Sequence, residues 1–480
     1  MNKEDKYNYL AKNTILFTIS SFGSKILTFL LVPLYTAVLS TSEYGTADLV
    51  TTTAGLLIYV FTLNIADSVL RFAIDRKSRQ EEILSYGIQI LIKGSGIFLI
   101  AIAIAWKFSI VDWPNYCYIF LFLSFFTTAL NQILSNYLRA IDKVFDVAVA
   151  GIILTAITII SNIVFLLWLK LGLLGYMLAS VLGACVSSLY CLLKTKCSLY
   201  IIRTSLADKE TQKDMKAYSI PLIFNGVAWW INNSIDKYFV TAICGVAING
   251  IYAVAYKIPT ILTVFQSIFS QAWNLSAIKE FDKNDEEGFF SKTYETYQAG
   301  LTVLCSALII MNIPIAHLLF AKDFFQAWEF SSVLLISLVF NALSGFLGSI
   351  FTAVKNSKIF AVSTVSAATV NIILNSLMIP TMGAQGAAIA TAISFFMIWS
   401  IRLICARKYI SLKINIIKDI IVYVLLIVQV VLEHLKGHMY WAQAIILMII
   451  IALYWRQIWN LTRAIFGKML AKLEKGKQYE

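Results

Sequence analysis

"SYGIQILIKGSGIFLIAIAIAW", residues 85–106, holds a single ionisable cation, Lys93, in a run that is otherwise apolar or small. A helix rising about 1.5 Å per residue covers about 33 Å over such a length, and the hydrocarbon core of a bilayer is about 30 Å thick. The run is continuously apolar, not alternating, so it reads as a helix and not as a barrel strand. Working outward, similar runs recur near 13–39, 45–70, 115–138, 145–169, 172–193, 218–243, 249–273, 294–319, 328–354, 359–380, 384–405, 415–433 and 439–459. With 84–106 they predict an all-α, polytopic membrane protein of about 14 transmembrane helices. Composition agrees: the chain is 59% hydrophobic and 14% charged, with a mean hydropathy of +0.76, whereas a soluble domain carries about 25% charge.

Loop charge tests this map. With the N-terminus in the cytoplasm, the inner side holds 31 of the 39 Lys+Arg, including Arg71–Arg79, Lys194–Lys216, Arg402–Lys418 and the tail. The outer side holds Lys107, Lys170, Lys322 and Lys436. That bias predicts both termini inside. Trp106, Trp113, Trp168, Trp328, Trp441, Trp455 and Trp459 fall at run ends, as an interfacial belt should. The net charge of +12 is scattered along one set of loops, which reads as topology and contact with anionic head groups, with no nucleic-acid partner. The cysteines show no CxxC spacing and read as small buried hydrophobes, with neither a disulfide framework nor a metal site. The first run is too long for the apolar core of a cleavable signal.

The blocks before and after the polar stretch 194–217 resemble each other. "LKLGLLGYMLAS" at 169–180 aligns with "PTMGAQGAAIAT" at 380–391, pairing Gly172 with Gly383, Gly175 with Gly386 and Ala179 with Ala390. Gly45 and Gly250 mark equivalent turns after the first run of each block. Six runs per block make the repeats parallel, as in two-lobed transporters. The expected organisation is an N-terminal lobe at 1–200, a C-terminal lobe at 201–410, and two extra helices with a basic tail at 411–480.

Four lysines, Lys25, Lys93, Lys237 and Lys257, lie inside apolar runs. Facing lipid, each would cost about 2.5–3.5 kcal/mol, and the four together about 10–14 kcal/mol. A hydrated interior is the cheaper location, and a lysine-lined cavity fits an anionic passenger. Polar residues at helical spacing accompany them: Thr14, Thr18, Ser21, Lys25 and Thr28; Tyr86, Gln89, Lys93 and Gly96; Asn225, Trp229, Asn232 and Asp236; Lys257, Thr260, Ser267 and Gln271. Hydrogen bonding between helices accounts for the uncharged members equally well. Asp236 reads either as a site for a coupling H⁺ or Na⁺ or as a counter-ion for the lysines. Asp48, Asp67 and Arg71 line the entrances or simply sit at the interface. Trp229 and Trp230 stack on sugar rings or fill a space between helices.

"NNSIDKYFVTAICGVAINGIYAVAYKIPTIL" at 232–262 resembles the start of the second half of the polysaccharide flippases in the multidrug/oligosaccharidyl-lipid/polysaccharide exporter superfamily. Asp236 followed by a basic residue, Gly250–Tyr252–Ala253 and Tyr256–Lys257 carry the likeness. "SFGSKILTFLLVPLYTAVLSTSEYG" at 21–45 looks like that family's opening helix. The resemblance implies two six-helix lobes plus two helices. It implies movement of an undecaprenyl-diphosphate-linked oligosaccharide across the bacterial plasma membrane for O-antigen, capsule or other surface polysaccharide, with no bond made or broken. It puts Lys25 and Lys257 where the related lipid II flippases carry cavity arginines. Substrate contacts are then expected at Lys25, Lys93, Lys257, Lys237, Asn232 and Trp229, ion coupling at Asp236, and entrances at Asp48, Asp67 and Arg71. A polymerase and a chain-length regulator are implied partners, and no resident cofactor is. The rivals are a multidrug antiporter of the same superfamily, which favours a carboxylate-rich cavity, and a membrane-embedded polymerase or ligase, which favours a large outer loop.

Overall fold

The computed structural model describes residues 29–76, 79–111, 113–195, 208–279, 281–354, 356–435, 437, 439–459 and 463. The described residues are helical, without strands. The helices are α1 (Val32–Val38), α2 (Thr41–Phe61), α3 (Ile65–Asp75), α4 (Gln80–Lys107), α5 (Asn115–Ala140), α6 (Val144–Asn162), α7 (Gly172–Thr195), α8 (Lys209–Cys244), α9 (Val246–Ala255), α10 (Thr260–Lys279), α11 (Phe289–Leu319), α12 (Trp328–Ala353), α13 (Ser357–Met382), α14 (Ala384–Ala406), α15 (Ile416–His434) and α16 (Tyr440–Leu453).

Eight of them are long and apolar enough to cross a bilayer, and two bent pairs, α2 with α3 and α9 with α10, bring the candidates to ten. The remaining four runs differ for identifiable reasons. The first lies mostly outside the described residues. Polar residues such as Asn232, Asp236 and Lys237 interrupt α8. Lys418, Asp419 and Glu433 do the same in α15, and α16 is short. The chain is a multi-pass membrane protein.

Two compact units emerge: residues 1–254 with 319–324, and residues 255–318 with 325–480. The helix α8 packs on α2 and α3 within the first unit. The first unit's core joins Phe61, Phe98 and Phe125 in mutual ring contact. In the second, Phe269 stacks on Tyr297 at 3.7 Å and Trp273 on Phe346 at 4.1 Å.

Local chemistry sets the helix ends. Ser40 opens α2 with a reciprocal capping box: its Oγ accepts from the Glu43 amide at 3.2 Å and its own amide donates to Glu43 Oε2 at 2.8 Å. Gly172 and Gly383, matched in the sequence repeat, open α7 and α14 with φ of +53° and +60°, a conformation that penalises any Cβ. The structural equivalence extends to Ala179 and Ala390, both fully buried. Gly45 and Gly250 depart from expectation. Each sits inside a helix and not in a turn, because its missing side chain is needed for a helix crossing.

Asp208 caps α8. Its Oδ1 accepts from the Thr211 amide at 2.8 Å and its Oδ2 from Arg79 at 2.5 Å. Thr211 first, then Arg79, hold the carboxyl down at about 2. A depressed carboxyl stabilises the fold fully above its unfolded value of about 3.9 and loses that contribution as pH falls through the folded value. Protection of the first-turn amides of α8, taken against the intrinsic exchange rate at each pH, is therefore expected to fall between about pH 4 and about pH 2. Asp208→Ala should exchange fast at every pH; equal acid sensitivity in the two proteins would refute the assignment.

Charge sorting put Arg402 in the inner loop 402–418, and the structure corrects this. Arg402 is 1% exposed inside α14. Its guanidinium donates to Ser363 Oγ at 3.1 Å, Ser344 O at 2.9 Å and Thr364 Oγ1 at 3.1 Å, and lies 4.1 Å from the Phe360 ring centre. A planar fork of donors can be satisfied by neutral oxygens from several helices, so burial needs no carboxylate here.

Candidate functional site

The charged residues of α8 are organised by its contact with α2. Trp230 Nε1 donates to Thr52 O at 3.0 Å, and the Tyr238 and Thr53 hydroxyls share a hydrogen bond of 2.5 Å. A Cβ at Gly226 would come within 2.5 Å of the Tyr59 ring. These contacts bring Lys237 Nζ to 2.8 Å from Asp48 Oδ1, with the two side chains 15% and 17% exposed. Asp48 Oδ2 has no hydrogen-bond partner among the described residues. Lys237 and Asp48 therefore form a mostly buried ion pair across 189 positions of sequence.

One residue back, Asp236 points elsewhere. It is 1% exposed, and its Oδ2 accepts the Tyr252 hydroxyl at 2.7 Å. Tyr252 belongs to α9, so this bond spans the Gly245 break between α8 and α9. The same α9 crosses α2 at almost backbone contact. A Cβ on Gly45 would fall 2.1 Å from Val246 O, and a Cβ on Gly250 would fall 1.9 Å from Thr41 O. Each glycine thus meets the carbonyl four residues before the other, a local two-fold relation. Asn249 Nδ2 reinforces it by donating to Gly45 O at 3.3 Å.

The remaining predicted residues distribute as follows. Lys25 lies outside the described residues. Asn232 is buried and bonds Ala228 O of its own helix at 3.0 Å. Trp229 is 37% exposed, while Trp230 is held in the α2 contact. Lys93 is exposed midway along α4, on a stripe whose other end, Tyr86, is buried. Asp67 accepts from Asn64 Nδ2 at 2.9 Å at the break between α2 and α3, and Arg71 pairs with Asp75 on the surface of α3 at 3.2 Å. Of these residues, Asp48 and Lys237 meet in the α2–α8 contact, while Asp236 bonds Tyr252 of α9 and Asn232 bonds its own helix.

Lys257 belongs to the second unit. It is half-buried at the 49° bend between α9 and α10. Pro259 causes the bend, since it has no N–H for Ala255 O. Ser331 Oγ takes that carbonyl instead, at 2.9 Å. Interrupted helices recur at membrane transport sites, where half-helix ends meet the substrate or a coupling ion. Sequence reading missed the partner of Lys237, the Gly45–Gly250 crossing and Arg402. For the crossing, the signal present was a glycine at the fifth position of two equivalent helices.

A family model described as "Polysaccharide biosynthesis protein" matches residues 10–274, more than half of the chain. The chain belongs to that family. Lys25, Lys93, Lys237 and Lys257 lie within the matched residues. No curated protein matches the chain. Among solved structures, the lipid II flippase MurJ in an inward closed conformation is similar over 95% of this chain and all of its own, with 15% identity and a TM-score of 0.68. An inward-facing multidrug resistance MATE family transporter of the MOP superfamily is similar over 81% of this chain and 94% of its own, with 14% identity and a TM-score of 0.65. A Pyrococcus furiosus transporter of the same superfamily, described as having a binding pocket of reversed polarity, matches over 84% and 95%, with 15% identity and a TM-score of 0.57. At these identities the likeness establishes the fold: this member of the polysaccharide biosynthesis protein family has the MOP transporter fold.

Proposed function

We propose that the protein is a flippase for an undecaprenyl-diphosphate-linked oligosaccharide, acting by alternating access in a bacterial plasma membrane with both termini cytoplasmic. The observation that carries this reading is the family match over 10–274, which takes in Lys25, Lys93, Lys237 and Lys257. The family description supplies the polysaccharide context, and the lysines supply the charge a diphosphate needs as it loses water. Lys25 and Lys257 meet the diphosphate with Lys93 as a third cation, and lysine binds it as a point charge without a bidentate fork. Lys237, held by Asp48, sets the local potential and does not move with the passenger. Trp229, 37% exposed, contacts the head group, and Asp67 and Arg71 act at the entrances. The lipid tail stays in the bilayer while the lobes rock. An inside-negative potential of 100 mV favours each outgoing negative charge by about 2.3 kcal/mol. Asp236 is the coupling position for H⁺ or Na⁺, and a polymerase and a chain-length regulator take over the product.

The test replaces Lys25 and Lys257 together by glutamine in the native host. Surface polysaccharide is expected to fall about tenfold or more, the effect of losing about 1.4 kcal/mol or more from transport. Lipid-linked intermediate should accumulate on the inner leaflet. Undiminished surface polysaccharide sinks the proposal. Drug hypersensitivity of a deletion strain with normal polysaccharide would favour the antiporter reading instead.

A further inference from the structure

Within the second unit, α11, α14, α15 and the end of α16 enclose a polar cluster that the transport reading does not use. Asp419, in the first turn of α15, is 3% exposed. Its Oδ1 accepts the Tyr454 hydroxyl at 3.0 Å, and that hydroxyl accepts from Gln298 Nε2 at 2.9 Å. Asp419 Oδ2 and Gln298 Oε1 are both buried and both without a donor among the described residues. These two oxygens belong to residues joined through one hydroxyl, and the desolvation penalty of an acceptor left without a donor is what an added hydrogen on Oδ2 would relieve.

Charge points the same way. The charged groups acting on Asp419 are Lys418 beside it and Glu295 on α11. Lys418 Nζ lies 3.6 Å from Glu295 Oε1 and 4.6 Å from the centre of the Tyr454 ring. One cation and two carboxylates leave a net charge of −1 in a buried place, which a single bound positive charge neutralises. Tyr294 and Tyr423 also face the carboxylate, and Trp399 Nε1 donates to Tyr294 OH at 2.9 Å. Glu295 and Lys418, at 27% and 16% exposure, form the more exposed edge of the cluster. Two unpaired oxygens and one hydroxyl are too few to replace the hydration shell of a metal ion.

We propose that Asp419 is a proton-binding site, distinct from Asp236 in the first unit and independent of what the protein transports. A hydronium ion at the Glu295–Lys418 edge gives up the proton: one of its O–H bonds breaks, an O–H bond forms on Oδ2, and a water molecule is released. The carboxylate becomes a neutral acid that can donate. It holds the α15–α16 hairpin on α11 through Tyr454 and Gln298.

The test is infrared difference spectroscopy of the full chain in lipid nanodiscs, stepped between about pH 5 and about pH 9, a range wide enough for a strongly perturbed carboxyl. The wild type should show a protonated carboxylic-acid carbonyl band on acidification, and Asp419→Asn should lose that whole band. Tyr454→Phe keeps the ring, removes the hydroxyl and should move the band's frequency; it also serves if the asparagine variant fails to fold. A wild-type spectrum without the band would overturn the proposal, and so would a band unchanged in both variants. Loss of the band on adding Na⁺ at constant pH would overturn it too, by making the site a metal site.

Discussion

Lys237→Met is expected to destabilise the protein by about 3 kcal/mol, the lower end of the range for breaking a buried ion pair. The loss comes from Asp48. Its Oδ1 sits 2.8 Å from the ammonium that the substitution removes, and its Oδ2 already has no hydrogen-bond partner among the described residues. A carboxylate only 17% exposed would be left charged and largely dry. The remaining exposure admits some water, which is why the lower end applies. Asp48→Asn alone removes the same 2.8 Å ion pair from its other side, and the double variant should recover most of the loss. Thermal unfolding of the purified protein closes this double-mutant cycle. If the single variants melt with the wild type, or if the double variant loses the sum of the two, the pair does not hold α8 on α2.

Gly250→Ala carries the other large effect, and its origin is shape and not charge. The added Cβ would lie 1.9 Å from Thr41 O and 3.0 Å from Gly45 N. Both are backbone atoms, with no rotamer to absorb the clash, so α9 and α2 must separate. Overpacking of this kind costs about 1–3 kcal/mol, and backbone contact on both sides places Gly250→Ala at the top of that range. Separation would also stretch the Asn249–Gly45 bond, already 3.3 Å long, and pull Tyr252 from Asp236. Gly45→Ala should behave alike, because its Cβ meets Val246 O at 2.1 Å. Gly55→Ala on the same α2 is the control: nothing lies within 4 Å of its Cβ, and alanine is the better helix former by about 1 kcal/mol. A melting temperature that drops by several degrees at Gly250 and does not drop at Gly55 is the expected result. Equal behaviour at the two sites would mean that the crossing is looser than the coordinates show.

The two residue classes were unequally legible. Glycines 172 and 383 were found by alignment because a repeated positive φ requires a repeated glycine, and this requirement is local. Gly45 and Gly250 were found too, but their role was misread as turns, since a close approach between helices leaves the same mark in sequence as a turn. Each bent pair reads in sequence as a single apolar run. Hydropathy averages over a 53° break at Thr62–Asn64 as readily as over a continuous helix. Arg402 was read as a loop residue because its position near a run end matches an interfacial cation. Only the converging oxygens of Ser344, Ser363 and Thr364 distinguish it.

By itself, the sequence determined the helical class, the membrane as solvent, the repeat and the presence of cations inside apolar runs. Each is a sum or a spacing along neighbouring residues, and lipid punishes every exposed polar backbone group without regard to tertiary contacts. The tertiary structure alone decided which ions meet: Lys237 turns from the adjacent Asp236 to Asp48 on α2, and Asp419 joins Gln298 and Tyr454 from two other helices. The reason is geometric. Neighbours on a helix diverge by about 100°, so the partner of a buried charge comes from whichever helix packs against that face, and no local pattern encodes which one it is.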